Sequence, residues 1–189
     1  RELLLIAQDS TYYGIDNYGS RKLADLLKAL SDVEGIGWIS LHYAFPSGFP
    51  LEVLDVMRER DNICKYIDIP LQHVSDDILT SMRRGTTRDK TRQLISTLRE
   101  KVPGIAIRTT LISGYPGETD VHHRELLDFI EESRFERLGV FAYSHEENTH
   151  AFSLTDDVPE EVKQARAAEI MDLQSQISYI FYQEHLYIY

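Results

Sequence analysis

Apolar and polar residues fall along this chain in blocks, and the blocks predict five repeats of one unit: a short apolar run, a turn, then a helix. The first run is Leu3 to Ala7, followed by the turn Gln8-Asp9-Ser10-Thr11-Tyr12-Tyr13-Gly14. Leu23, Leu26, Leu27 and Leu30 then recur three and four apart, which puts them on one helical face. The second run, about Ile36 to His42, ends in Tyr43-Ala44-Phe45-Pro46-Ser47-Gly48 and precedes a shorter helix from about Leu51 with Leu54 and Met57 inward. A third, Lys65 to Ile69, leads into Pro70-Leu71-Gln72-His73-Val74-Ser75. Ser75 is an N-cap for a helix burying Ile78, Leu79 and Met82, and after Arg83 to Thr87 a second helix buries Leu94, Ile95 and Leu98. Pro103-Gly104 stops it.

The fourth run opens Ile105 to Thr119, IAIRTTLISGYPGET, rich in Ile, Thr and Leu and therefore suited to a strand. Its helix buries Leu126, Leu127 and Ile130. The fifth, Leu138 to Ala142, ends in Tyr143-Ser144-His145-Glu146-Glu147-Asn148-Thr149. After a polar connection, Pro159 suits a first helical position and Ile170, Leu173 and Ile177 mark the inward face of the last helix. Strands alternating with helices imply an α/β fold with a parallel sheet and right-handed crossovers. Nearly all-apolar strand interiors predict cover on both faces. A full eight-fold barrel takes about 250 residues, so the 189 present suit a partial or six-fold barrel. Residues 1–158 read as that barrel, and 159–189 as a helix and aromatic tail packed on it.

Composition narrows the class. Hydrophobic residues at 42% and charged residues at 27% are ordinary for a globular protein, and no apolar run approaches the roughly 18 residues of a membrane span. No signal peptide opens the chain, which starts abruptly on a strand like a fragment of something longer. A formal net charge of −11 argues against a nucleic-acid grip and suits a basic protein partner. The single cysteine, Cys64, excludes a disulfide framework and any multi-cysteine metal site within this chain, and fits a reducing cytoplasm.

The candidate chemistry collects after the strands, the edge that carries sites in α/β folds. Gly114-Tyr115-Pro116-Gly117-Glu118-Thr119 is either a turn before an N-cap at Thr119 or a ligand cradle with free backbone N–H groups. Glu118 either binds a ligand ammonium or favours the helix dipole. Gln72-His73 is either a capping pair or an amide and imidazole presented to a ligand. Arg108, inside an apolar strand, needs an anion: a structural carboxylate or a ligand's. His145 and His150 flank an acidic loop that is either solvated or metal-binding, and Arg83-Arg84 with Arg88 is a solvated end or a substrate contact. There is no Walker motif and no GxGxxG.

Taken together and in order, LLLIAQDSTYYG, YAFP, DIPLQHVSDDIL, MRRGTT, RTTLISGYPGET and FAYSHEENTHA closely resemble the radical S-adenosylmethionine (SAM) domain of methylthiotransferases, from Leu3 to about Ile177. Gln8-Asp9 and Pro70-Leu71-Gln72-His73 look like the RimO branch, whose substrate is an aspartate of the twelfth small-subunit ribosomal protein. The sister branch, MiaB-like and acting on tRNA adenosine, typically has Gln followed by Ser-Gly there. The resemblance implies a partial (βα)6 TIM-like barrel with its first βα unit missing. It implies a [4Fe-4S] cluster held by three cysteines upstream of Arg1, reductive cleavage of SAM, and methylthiolation of the aspartate β-carbon with an electron donor as partner. This fragment alone would then hold no cluster ligand and no catalytic residue.

By the same resemblance, the SAM pocket draws on Gln72, His73, Arg108, Gly114, Pro116, Gly117 and Glu118. Gln8, Asp9, Thr11, Tyr43, Tyr143, Ser144 and Glu146 face SAM or the target peptide. Two departures stand out: Ser40 where relatives often carry Arg, and the tail Tyr179 to Tyr189, whose five aromatics would be a sticky exposed surface and predict packing. The competing readings are the tRNA-directed sister enzyme and a non-catalytic barrel that lost its cluster.

Overall fold

The structure is a computed structural model that describes the backbone of residues 1–186 and the side chains of residues 1–183. It forms two compact units, one from Arg1–Pro70 and Gln93–Arg108, the other from Leu71–Arg92 and Thr109 onward. The first unit contains β1 (Glu2–Leu5), α1 (Ile15–Tyr18), α2 (Leu23–Ser31), β2 (Trp38–Leu41), α3 (Glu52–Glu59) and β3 (Tyr66–Asp68). α4 (Asp76–Ser81) follows in the second unit, and α5 (Arg88–Lys101) and β4 (Ala106–Ser113) each run from one unit's residues into the other's. The second unit is completed by α6 (Asp120–Ser133), β5 (Arg137–Ala142) and α7 (Glu160–Leu186).

In the first unit all strand pairing is parallel. Glu2 to Leu5 lie opposite Trp38 to Leu41, a bridge joins Ile39 to Ile63, and Tyr66 to Asp68 lie opposite Ala106 to Arg108. Ile39, Leu41 and Ile67 of the strands, Leu23 and Leu27 of α2 and Val53, Leu54 and Met57 of α3 are all buried, and the two helices pack together. In the second unit the end of β4 lies beside β5, with the Tyr143 N–H donating to the Ser113 carbonyl at 2.8 Å. α7 packs on β5 and α6. The Phe129 and Phe135 rings meet edge-on at 5.7 Å, and the Gln174 amide donates to the Phe135 carbonyl at 2.8 Å, so a buried polar side chain of α7 satisfies the loop that leads into β5.

All five predicted strands are present, and the parallel α/β class with them. Three expectations need correction. Cover on both faces fails at β1: Leu4 is 55% exposed and Ile6, just past the strand's end, 65%, so the face that carries them is uncovered by the described residues of this unit. The first turn contains a 3-10 turn (Ser10–Tyr12), and a separate short helix, α1, comes before the predicted helix that begins at Leu23. Pro159 stands just before α7, where its carbonyl accepts from Val162 and Lys163, a place that suits its missing N–H equally well.

The aromatic tail extends α7 rather than folding back. Tyr179 and Tyr182 are 64% and 62% exposed, while Phe181 lies under the Arg134 guanidinium at 5.1 Å. The rest of the predicted tail, residues 187–189, lies outside the described residues. Among the described residues no helix is long and apolar enough to cross a membrane. Phe129→Ala is expected to lower unfolding free energy by about 3–5 kcal/mol, through lost burial plus the cavity left against Phe135. A shift of the urea midpoint without a change of slope would show it.

Candidate functional site

The residues after β3 and β4 in the second unit build one site. Gln72 adopts a left-handed backbone (φ 71°), rare outside glycine, and is held there by two bonds to β4. Its N–H donates to the Thr110 carbonyl at 2.9 Å, and its carbonyl accepts from Ile112 at 2.8 Å. His73 is fully buried. Its Nδ1 accepts the Ser75 N–H at 3.0 Å, so the imidazole caps the start of α4, and a neutral ring carries its proton on Nε2. That nitrogen lies 3.5 Å from Glu118 Oε2.

Glu118 is tied from several sides. Its Oε2 accepts the Gly114 N–H at 2.9 Å, and its Oε1 accepts Arg166 of α7 at 2.9 Å. Arg166 also donates to the Glu118 carbonyl at 3.1 Å and to Asp120 at 2.7 Å. Burial alone would push the Glu118 carboxyl up. The neighbouring His73 imidazole, the Gly114 N–H and the Arg166 charge outweigh it and hold the carboxyl below its usual range. Glu118 therefore points inward as the anchor of the turn, with its oxygens committed to protein groups. Thr119 caps α6 in a reciprocal box with His122, as the turn-and-cap reading of this stretch requires.

Gly114 is the position where glycine is required. Its φ is +75°, and a Cβ there would lie 2.3 Å from Lys163 Cγ. Lys163 is itself buried, its Nζ bonded to Asp156 at 2.7 Å and 5.1 Å above the Tyr143 ring. Gly117, also left-handed, donates its N–H to Asp157 at 2.8 Å.

A cleft of about 690 Å³ opens at this end of the unit. Gln72, Thr110, Ile112, Tyr115 and Tyr143 line one part; Met82 and Arg84 follow from the end of α4, and the loop from Ser144 to Ala151 closes another side. Tyr115 and Tyr143 meet edge-on at 5.2 Å, and the Tyr115 hydroxyl donates to the Ser81 carbonyl at 3.3 Å. The Tyr143 hydroxyl bonds His145 Nδ1 at 3.0 Å, and burial pushes its pKa up. The Ser144 hydroxyl donates to Glu146 at 2.6 Å. Apolar walls with a few fixed polar groups, at this volume, suit a nucleoside-sized ligand.

Of the residues singled out in the sequence, Gln72, Arg84, Tyr143, Ser144, Glu146 and His150 line this cleft. His73 and Glu118 stand behind the lining as buried supports. Gly114 and Gly117 shape the turn, with Pro116 between them. Tyr115, Ile112, Lys163 and Arg166 were not singled out. Tyr115 sits inside the Gly-Tyr-Pro-Gly turn and was open to notice; Arg166 and Lys163 lie some 50 residues further on and carry no local signal. Among the described residues no group of three His, Cys, Asp or Glu is placed to hold a metal ion, His145 and His150 included.

The remaining predicted residues belong to the first unit. Asp9 Oδ1 accepts the Thr11 N–H at 2.9 Å and the Thr11 hydroxyl at 2.6 Å, so Thr11, fully buried, stabilises the turn from within. Gln8 and Tyr43 are exposed, and the Tyr43 carbonyl accepts the Ser10 N–H at 2.9 Å. Arg108 bonds Asp68, its register partner on β3, at 3.0 Å, with Asp68 buried and Arg108 42% exposed. The structural carboxylate is thus present, and the missed clue was a lone acid in one apolar strand and a lone base in another.

Residues 3–130 match the model of the radical SAM superfamily. The chain belongs to that superfamily. The radical SAM chain is 62% identical over 186 residues to the ribosomal protein uS12 methylthiotransferase RimO of Christiangramia forsetii, covering 98% of itself and 41% of that protein. It is 64% identical to the RimO of Flavobacterium johnsoniae, covering 97% and 42%. It spans about two fifths of the length of these curated relatives. Among solved structures it is similar to coproporphyrinogen III oxidase (HemN) from Escherichia coli, with a TM-score of 0.65 and 22% identity over 82% of this chain and 37% of that one. This last likeness concerns the α/β fold alone.

Two outcomes are expected of the anchor. Gly114→Ala costs about 1–3 kcal/mol, from a left-handed backbone and the clash with Lys163, readable by urea denaturation. Glu118→Gln costs about 3 kcal/mol at neutral pH by leaving Arg166 buried without its carboxylate. Because folding lowers the Glu118 pKa, its contribution is present above the ordinary glutamate range and is lost as pH falls through the lowered value. Stability of the Gln variant should therefore fall less steeply in that acid window than the parent's.

Proposed function

We propose that this chain is the central part of a radical SAM methylthiotransferase that adds a methylthio group to the β-carbon of an aspartate in ribosomal protein uS12. The observation that carries the reading is identity of 62–64% over 97–98% of the chain to proteins named uS12 methylthiotransferase RimO. The net charge of −11 supports a basic protein substrate over a nucleic acid. The place of work is the cytoplasm, where ribosomal proteins are met, and an electron donor is a further partner. In the same reading the five strands belong to a partial six-fold βα barrel lacking its first unit. Residues 1–158 form the barrel, and the helix from 159 packs beside it.

SAM fits the cleft of the second unit. Gln72 and Thr110 offer polar edges, Ile112, Tyr115 and Tyr143 offer apolar surface, and the size suits a nucleoside. His73, Gly114, Pro116, Gly117 and Glu118 position those walls, and Arg108 is an anion partner from its own strand. In the second unit Tyr143, Ser144 and Glu146 form a surface for SAM or the target peptide, and in the first unit Gln8, Asp9, Thr11 and Tyr43 form or support another. Bound SAM supplies the radical chemistry and protein groups supply position and exclusion of water. The cluster does not fit this chain, whose only cysteine, Cys64, is buried 3.3 Å from the Ser40 hydroxyl.

Cells lacking the full-length gene test this directly. Their uS12 should lose about 46 Da, the difference between SCH3 and H in simple formula arithmetic, while tRNA nucleosides stay unchanged. Loss from tRNA alone would replace this reading with the tRNA-directed enzyme, and no change in either would leave a non-catalytic binding module.

A further inference from the structure

In the first unit the segment from Asp9 to Tyr18 displays surface that a stable interior would bury. Tyr12 is 58%, Tyr13 40%, Ile15 37% and Tyr18 62% exposed, in consecutive turns of one short stretch. Asp9 and the residues from Tyr12 to Asn17 enclose a hollow of about 440 Å³. Its lining carries two carboxylates, Asp9 and Asp16, and no cation.

The hollow is preformed. Asp9 ties down Thr11, Ser10 donates to the Tyr43 carbonyl, and Tyr18 and Lys22 donate to the carbonyls of Gly14 and Tyr13 at 2.8 Å. Gly14 is left-handed (φ +95°), and a Cβ there would lie 2.7 Å from Lys22 Cβ, so this chain path is held tightly. Rigid tyrosines on a fixed backbone lose little entropy when they bind. One ring already shows what it accepts: the Arg21 guanidinium stands over Tyr12 at 5.5 Å from the ring centre.

We propose that the Asp9–Asn17 hollow, with the exposed Tyr18 next to it in the chain, docks a lysine- and arginine-rich segment of the protein substrate, by carboxylate pairing at Asp16 and cation–π contact at the exposed tyrosines. This rests on the methylthiotransferase reading for the identity of the partner, but not for the chemistry of the surface. Exposed rings also stack nucleobases, yet a nucleic acid brings phosphates to a lining of two carboxylates within a chain of net charge −11. A cationic peptide gains from both the rings and the charge.

The test uses the full-length protein, purified uS12, a synthetic Arg/Gly-repeat peptide and bulk tRNA as probes. The variants are Tyr12→Ala with Tyr18→Ala, and Asp16→Asn, all exposed positions whose thermal unfolding is followed alongside. Both variants should bind uS12 and the peptide roughly tenfold more weakly, with a shallower salt dependence for Asp16→Asn and unchanged SAM binding. Equal affinity of parent and variants for uS12 overturns the proposal, as does loss of SAM binding, which would assign the hollow to the cofactor site. A variant-sensitive affinity for tRNA in place of the peptide overturns it in favour of RNA. Variant-sensitive peptide binding by a protein that ignores uS12 sinks the ribosomal reading and leaves the hollow standing; binding of none of the probes overturns both.

Discussion

The Glu118 carboxylate is the interaction on which the second unit's functional end depends. A charge with no solvent exposure must be compensated by protein groups, and here the compensation comes from three separate segments. Gly114 N–H comes from the end of β4, Arg166 from α7, and His73 from the turn after β3. Each segment is thereby placed relative to one atom group rather than to its neighbours in sequence. Since His73 in turn accepts the Ser75 N–H, the start of α4 joins the same network. The bond to Gly114 also explains why the turn bends where it does. A backbone N–H at a strand end would otherwise face solvent or a ligand, and here it is consumed.

Gly114 links this network to a second one. Removal of one methyl's worth of space lets the Lys163 stem lie against the turn, and the Lys163 ammonium then reaches both Asp156 and the face of Tyr143. Tyr143 meets Tyr115 edge-on, so the aromatic walls of the cleft are set by α7 through Lys163 and by the turn through Gly114. The stem of a lysine acts here as core material while its charge remains paired. The first turns of α7 are thus part of the cleft's support, although no residue of α7 lines it.

How much of this was legible follows from how local each signal is. The five strands, the two glycine turns and the Thr119 cap are written in neighbouring residues, through periodicity and turn chemistry, and were readable. Tyr143, Ser144 and Glu146 were singled out through the family resemblance, whereas Gln72 was readable as a residue just after a strand. The inward direction of Glu118 was not, since its partner Arg166 lies 48 positions away and an acid at a helix start already has a sufficient local explanation in the dipole. The burial of Thr11 was not legible for a related reason. A threonine after Asp-Ser suits a solvent-facing turn as well as a buried Asx turn, and only the fold decides between them. β1 failed because an apolar run reports hydrophobicity and not which of its faces another element covers.

The two arginine–carboxylate pairs show why such pairs cannot be ranked from sequence. Asp68–Arg108 and Glu118–Arg166 have the same chemistry and nearly the same length, 3.0 and 2.9 Å. In the first, the guanidinium is 42% exposed, so solvent weakens the attraction and leaves donors facing outward. In the second, the guanidinium is 9% exposed and its donors are spent on Glu118 and Asp120. Burial makes Arg166 a structural strut whose loss would strand a charge, whereas Arg108 pairs with Asp68 while partly exposed to solvent. The difference lies in which side chains cover each pair, and that is a property of packing that neither strand nor helix pattern contains.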